Sequence, residues 1–333
     1  MRQLMISLDK NILDSETLAS KRMIEYGRDR ELFIIIPSSC EKVKDLSDNV
    51  HVYSVRGNKF FQFFKLLKFG KSCIKNKQIN EITVQDPFFI GLIGIILKNK
   101  FKLSLEVQVH GDFYGSNYYK KSGLKNWFSY YLGKYYILPR ADKIRAAGQR
   151  IAKGLIKIGV DENKINIRPI TINTDYIKNY QPKSNLHLGY SGYKKIFLYL
   201  GRIVPVKNIS WLIDIFAEVN KKNSDFLLLI VGTRNGLEED NLLKKVKKLK
   251  LVNNIKFENW VTDPISYIKT ADCLLFPSLS EGYGLVAMEA AAAGTPIIMT
   301  DVGVANYELQ SGPKVKIIPV GDRDKFIQAI LQL

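Results

Sequence analysis

Residues 276–296 read Phe-Pro-Ser-Leu-Ser-Glu-Gly-Tyr-Gly-Leu-Val-Ala-Met-Glu-Ala-Ala-Ala-Ala-Gly-Thr-Pro, which sets two carboxylates, Glu281 and Glu289, on either side of a glycine turn. A short apolar run, 273–276, leads into the turn and a small-residue helix leads out. Strand, glycine-flexed loop and helix start is the arrangement in which α/β proteins meet phosphorylated ligands, because the first helical amides have no partner inside the helix. A carboxylate a turn or more inside that helix, as Glu289 is, can accept two hydrogen bonds from a vicinal diol. Upstream, Tyr199-Leu-Gly-Arg202 ends an apolar run at a glycine and projects a guanidinium whose planar donors suit a diphosphate. Lys207 adds a second cation, and the two could stabilise charge building on a departing phosphate. His110 ends another apolar run, 104–109, with Asp112 just beyond it.

These residues need strands to hold them. The second half predicts strands over 196–200, 226–231, 255–257, 273–276 and 296–299, with helices over 208–220, 238–250, 263–270 and after Gly284. The first half predicts strands over 4–8, 32–36, 81–84 and 104–109, with helices over 20–26, 56–77 and 88–97. Alternation of this kind signals parallel sheets covered on both faces. At 333 residues the chain fits two domains of roughly 150 residues each, and 46% apolar content supplies two cores. The polar stretch 173–185, with Pro182, reads as a hinge or linker, dividing the chain into 1–172 and 173–333. Two doubly wound, Rossmann-like α/β domains facing each other across a cleft are the simplest assembly.

Cys40, Cys73 and Cys273 are scattered, odd in number and without metal spacing, so they read as reduced thiols. The first residues turn polar too soon for a signal peptide, and the longest apolar run, 88–97, falls short of the ~20 residues that span a bilayer. A cytoplasmic protein is expected. Its net charge of +18 calls for an anionic neighbour. Residues 56–77 carry seven cations and no acid, interleaved with phenylalanines; Lys59, Phe60, Phe63, Phe64, Lys65 and Lys68 are the residues that would lie on an anionic membrane, at the inner face of the plasma membrane. Residues 114–136 mix four lysines with Trp127, Phe128 and tyrosines in the same manner. Helices packing one aromatic face into the core would give both patterns as well. Nucleic acid is not expected as a partner, since no helix-turn-helix spacing, zinc ligands or aromatic RNA-binding motif stands out.

Taken together, Gly201-Arg202, Lys207-Asn208, Val231-Gly232, Ala271-Asp272, Phe276-Pro277-Ser278, Glu281, Glu289 and Gly294-Thr295-Pro296 resemble, in order and spacing, the family 4 retaining glycosyltransferases of the GT-B fold, the glycosyl transferases group 1. Val109-His110-Gly111-Asp112 and Ala141-Asp142-Lys143-Ile144 resemble that family's first domain. The resemblance implies transfer of a sugar from a nucleotide sugar, a UDP or GDP sugar, to an acceptor hydroxyl with retention, and no further cofactor or metal. Glycan, glycolipid or cell-envelope synthesis is the implied setting, with a sugar or lipid-linked acceptor.

The resemblance also implies roles. Glu289 would hold the ribose, Glu281 the transferred sugar, and the amides of Gly282, Tyr283, Gly284 and Leu285 the phosphates. Gly201, Arg202 and Lys207 would hold the diphosphate, while Gly232, Thr233, Arg234, Trp260 and Val261 would lie near phosphate and base. His110 would sit beside the donor sugar and acceptor, with Asp112 as a further acceptor residue. Attack would come from the front face, with Arg202 and Lys207 stabilising the departing phosphate as it helps take the acceptor's proton. The pair Asp322 and Asp324 would serve solvation or capping and not a metal. The chain departs from the family pattern at residues 7–17, where a glycine-rich loop is missing. The crossover helices that follow in family members are expected to be missing after the short amphipathic segment 322–333. A GT-B epimerase or phosphorylase, or a non-catalytic basic membrane-binding module, would share parts of this pattern.

Overall fold

The computed structural model describes residues 1–57, 61–233 and 236–333. It divides into two compact units, residues 1–147 with 151–168, and residues 148–150 with 169–333.

The first unit is built on eight strands: β1 (Arg2–Ile6), β2 (Glu31–Ser38), β3 (Lys42–Ser47), β4 (Val50–Arg56), β5 (Glu81–Val84), β6 (Ser104–Val109), β7 (Lys143–Ala146) and β8 (Ile165–Ile167). Their order across the sheet is β3-β4-β2-β1-β5-β6-β7-β8, and all pairings are parallel except β3 with β4. The helices Leu18–Tyr26, Gln62–Lys77 and Phe89–Phe101 follow β1, β4 and β5. The apolar run at 88–97 is a helix with Ile90, Ile93, Ile95 and Leu97 buried.

The second unit has six parallel strands, β9 (Lys195–Leu200), β10 (Phe226–Val231), β11 (Ile255–Glu258), β12 (Cys273–Phe276), β13 (Ile297–Thr300) and β14 (Val315–Ile318), ordered β11-β10-β9-β12-β13-β14. Its central strands are apolar along nearly their whole length because both faces are covered. Phe197, Tyr199, Leu228, Ile230 and Leu275 point to one core and Ile196, Leu198, Leu227, Leu229 and Leu274 to the other.

Five strands add to what the sequence predicts, and one segment corrects it. The predicted strands omit β3, β4, β7, β8 and β14. The edge strand β3, Lys-Val-Lys-Asp-Leu-Ser, has no buried residue, so it carries no apolar signature. The stretch 173–185 is not a free linker. Asn173 accepts from the Tyr176 amide at 2.9 Å and caps the helix Thr174–Asn179. Lys269 Nζ donates to the carbonyls of Lys178 and Tyr180, both at 2.7 Å, so the segment is laid onto the second unit.

Candidate functional site

In the second sheet the chain builds β9, β10 and β11 outward in one direction, then returns to the other side of β9 for β12. The connections leaving β9 and β12 therefore diverge, and space opens above their carboxyl ends. Every donor residue singled out in the sequence follows one of four strands at this edge: Gly201 and Arg202 after β9, Gly232 and Thr233 after β10, Trp260 and Val261 after β11, Glu281 and its glycines after β12.

The loop ends are stitched tightly. The Gly201 amide donates to the Val231 carbonyl at 3.0 Å and the Gly232 amide to the Glu258 carbonyl at 3.2 Å. A Cβ at Gly232 would lie 1.8 Å from the Gly201 carbonyl oxygen, so only glycine fits there. Tyr199 is buried and its hydroxyl donates to the Arg202 carbonyl at 2.9 Å, fixing the turn that carries the guanidinium. Burial, with the Glu281 carboxylate nearby, raises that phenol's pKa, so it stays a donor. Arg202 itself is exposed, and its guanidinium has no hydrogen bond or ion pair among the described residues.

Lys207 and Glu281 meet. The Lys207 ammonium is bonded to Glu281 Oε1, which also accepts from the Ser278 hydroxyl at 2.6 Å. The two side chains are only 16% and 13% exposed. Their loops are joined by the Leu279 amide donating to the Val206 carbonyl at 2.9 Å, and Thr300 Oγ1, at the end of β13, donates to the Ser278 carbonyl at 2.6 Å. The sequence assigns the two residues to different parts of a donor; the fold holds them as one pair.

The helix Leu285–Ala293 starts at Gly284, whose φ of 103° is left-handed and which has no side chain to cap the first amides. Those N–H groups and the positive end of the helix dipole are left for an anion. Glu289 stands on the second turn, and burial pushes its carboxyl up to about 7. Tyr283 is buried and its carbonyl accepts from the Val304 amide at 2.8 Å; Gly282 and Leu285 flank the turn, half-buried. Trp260 is 55% exposed, Thr233 is exposed, and Val261 packs against the core. Arg234 lies outside the described residues.

Sequence reasoning misses Arg150. Its Nε donates to the Gly303 carbonyl at 2.9 Å, its Nη2 to the Ala305 carbonyl at 2.8 Å and to Asp301, and its guanidinium lies 5.0 Å from the Tyr307 ring centroid. This clamps the loop that follows β13 and carries Val304. No spacing signal could reveal it, because its partners are mostly backbone oxygens about 150 residues away.

In the first unit, His110 follows β6, and a buried polar chain runs beneath it. Its Nε2 lies 3.0 Å from Gln108 Oε1, Gln108 Nε2 donates to Thr83 Oγ1 at 2.9 Å and to Glu106 Oε1 at 3.3 Å, and Thr83 Oγ1 donates to Glu106 Oε1 at 3.1 Å. A carboxylate can only accept, so Gln108 turns its amide nitrogen to Glu106 and its oxygen to the ring. His110 Nε2 must then carry the proton, leaving Nδ1 as an acceptor. Burial, aided by the charges of Arg145 and Arg22, pushes its pKa down to about 4, so the ring is neutral. Asp112 is buried and accepts from the Gly115 amide at 2.8 Å, shaping the loop after His110.

Of the basic aromatic residues, Phe63, Phe64, Lys65 and Lys68 lie on the helix Gln62–Lys77, with Phe64 62% exposed; Lys59 and Phe60 lie outside the described residues. Asp322 caps the helix Arg323–Leu331 by accepting from the Lys325 amide at 3.1 Å. Among the described residues no group of three His, Cys, Asp or Glu could hold a metal ion, and no helix is long and apolar enough to cross a membrane.

Comparison with known proteins follows the same division. Residues 187–333 match the family model described as glycosyl transferases group 1. An uncharacterized glycosyltransferase of Methanocaldococcus jannaschii is 27% identical over 312 residues, covering 91% of this chain and 80% of that protein. D-inositol 3-phosphate glycosyltransferase of Segniliparus rotundus is 24% identical over 243 residues, 70% of this chain; the matched region spans only about half of that relative, 54%. Among solved structures, HepE of Anabaena in complex with UDP and glucose superimposes with a TM-score of 0.76 at 17% identity, over 100% of this chain and 89% of that one. Residues 187–333 are thus similar to the glycosyl transferases group 1 family, and the two Rossmann-like units have the GT-B fold.

Proposed function

We propose that this glycosyltransferase transfers a sugar from a nucleoside diphosphate sugar, with a UDP or GDP carrier, to an acceptor hydroxyl with retention at the anomeric carbon and without a metal ion. The observation that carries this reading is the gathering of Arg202, the Lys207–Glu281 pair, the uncapped helix start at Gly284 and Glu289 at the carboxyl edge where the strand order of one sheet reverses. The solved HepE complex with UDP and glucose, of the same fold, agrees with a nucleotide partner.

In this reading the helix amides and the exposed Arg202 guanidinium take the diphosphate. Their donors are in place before the sugar departs, so charge forming on the leaving phosphate is met without reorganisation. Glu289 accepts from the ribose diol. Glu281 Oε2, which neither the lysine nor the serine engages, accepts from a hydroxyl of the transferred sugar, while Lys207 holds that carboxylate in place. The neutral His110 ring offers Nδ1 to a sugar hydroxyl. The leaving phosphate oxygen takes the acceptor's proton on the face it vacates, so the new bond forms where the old one broke. Acceptors in glycan, glycolipid or cell-envelope synthesis fit this chemistry.

The test is a thermal-shift panel of uridine, guanosine and adenosine diphosphate sugars, followed by transfer assays with the stabilising donor in the presence of EDTA. One nucleotide class should raise the melting temperature, transfer should persist in EDTA, and proton NMR of the product should show the donor's anomeric configuration. Full transfer by the Arg202→Ala, Glu281→Ala double variant would remove the site assignment, and an inverted product would remove the mechanism.

A further inference from the structure

We propose that the first unit carries a docking surface for an anionic lipid bilayer, centred on the helix Leu124–Leu132. This surface goes beyond the reading above and does not depend on it.

Between Asp112 and Asp142 the chain has no acid, but it has Lys120, Lys121, Lys125, Lys134 and Arg140. Within that stretch the helix Leu124–Leu132 buries no residue at all. Leu124 is 88% exposed, Phe128 63%, Trp127 50% and Tyr135 63%. With Tyr131 these positions fall on one face of the helix and its continuation. An apolar stripe normally turns inward; here it turns to solvent. It is also ordered: the Trp127 and Tyr131 rings pack at 4.8 Å and those of Tyr131 and Tyr135 at 5.9 Å. Cations sit on its rings, Lys134 at 5.0 Å from Tyr135 and Arg140 at 4.1 Å from Tyr136.

Ring contacts, partly buried, lead from this helix toward the second basic segment. Tyr131 packs on Tyr130, Tyr130 on Tyr114, Tyr114 on Phe113, and Phe113 on Phe88, each within 6.5 Å. Next in the chain, Phe89 packs on Phe63 at 5.5 Å and Phe63 on Phe64 at 5.6 Å. Phe61 and Phe64 are again exposed, beside exposed Lys65 and Lys68. Both segments are aromatic, acid-poor and cationic.

Charge and side-chain type together select the occupant. A second copy would bring like charge against like charge. A nucleic acid strand would use the cations and the rings but would gain nothing from an aliphatic residue as exposed as Leu124. A bilayer with acidic headgroups uses all three: apolar tips enter the headgroup boundary, tyrosine hydroxyls stay wet, and lysines meet phosphates.

The full chain should be floated with vesicles of phosphatidylcholine alone and with phosphatidylglycerol mixed in, at low and high salt. Binding to the anionic vesicles should exceed binding to neutral ones by about tenfold or more and weaken with salt. Two triple variants, Leu124→Ser with Trp127→Ser and Phe128→Ser, and Lys120→Gln with Lys121→Gln and Lys125→Gln, should each lose about tenfold or more of it. Their melting temperatures and nucleotide binding should match the parent chain, which separates this loss from unfolding and from failure of the donor site. The proposal is overturned if the parent chain ignores anionic vesicles, if both variants bind as it does, if an oligonucleotide displaces it from vesicles, or if the apolar variant converts a dimer to a monomer.

Discussion

Burial lifts the Glu289 carboxyl from its ordinary 4.5 to about 7, so near neutral pH the empty protein holds it partly protonated. The sign of the consequence follows from linkage. The folded state binds the proton more tightly than the unfolded chain, so this group's contribution to stability is largest at low pH and is lost as pH rises through about 7. Ribose hydroxyls donating to the carboxylate favour its charged form, so donor binding should release a proton. The dissociation constant of a nucleotide sugar should therefore rise as pH falls below about 7, and Glu289→Gln should flatten that dependence. Calorimetry in buffers of different ionisation heat measures the released proton directly; equal release by both proteins would show that the diol is held elsewhere. His110 makes a second case. In Gln108→Leu the ring loses the acceptor that holds its proton on Nε2, so nitrogen NMR of the imidazole should show mixed tautomers. The lost hydrogen bond, worth about 1 kcal/mol, should appear as a severalfold fall in kcat with little change in the KM for donor. A purely structural glutamine would leave the tautomer unchanged.

At the scale of elements, the site is held by contacts between loop backbones. Gly232 shows this most clearly, since the Gly201 carbonyl oxygen occupies the place of a Cβ. Gly232→Ala should push apart the ends of β9 and β10 at a cost of about 1–3 kcal/mol, lowering the melting temperature and weakening nucleotide binding more than the stability loss alone explains. Gly192→Ala, with nothing within 4 Å, is the control and should do neither. These contacts also explain what the sequence reveals. The strands ending at Leu200, Val231 and Phe276 are legible because both their faces are buried, and the loops after them carry glycines and charges at fixed offsets. The edge strand β3 is illegible because none of its residues is buried, and Arg150 because most of its partners are carbonyl oxygens that every residue possesses. The stretch 173–185 misleads for a related reason: its polar residues are spent on caps and on Lys269, which composition cannot distinguish from solvation. The pairing of Lys207 with Glu281 is likewise a tertiary fact, since 74 residues separate them and each alone reads as a ligand-facing charge.

At the scale of the molecule, each of the two units has a core of its own. Met5, Ile34 and Val52 belong to a cluster in the first, while the second buries one cluster on each face of its sheet. All the residues assigned to the nucleotide diphosphate stand on the second unit. A ligand that binds only the folded state stabilises it by mass action, by about 2.7 kcal/mol at a hundred times its dissociation constant. That gain should reach only the openings that destroy the site. Hydrogen exchange of the full chain with and without the nucleoside diphosphate should therefore slow the amides of β9, β10, β12 and the helix Leu285–Ala293, which share the loops around Gly201, Gly232 and Glu281. The amides of β1, β2 and β4, whose cluster contains no donor residue, should exchange at the same rate in both conditions. Equal protection in both units would mean that they open as one cooperative body. Protection confined to the first unit would move the nucleotide site there.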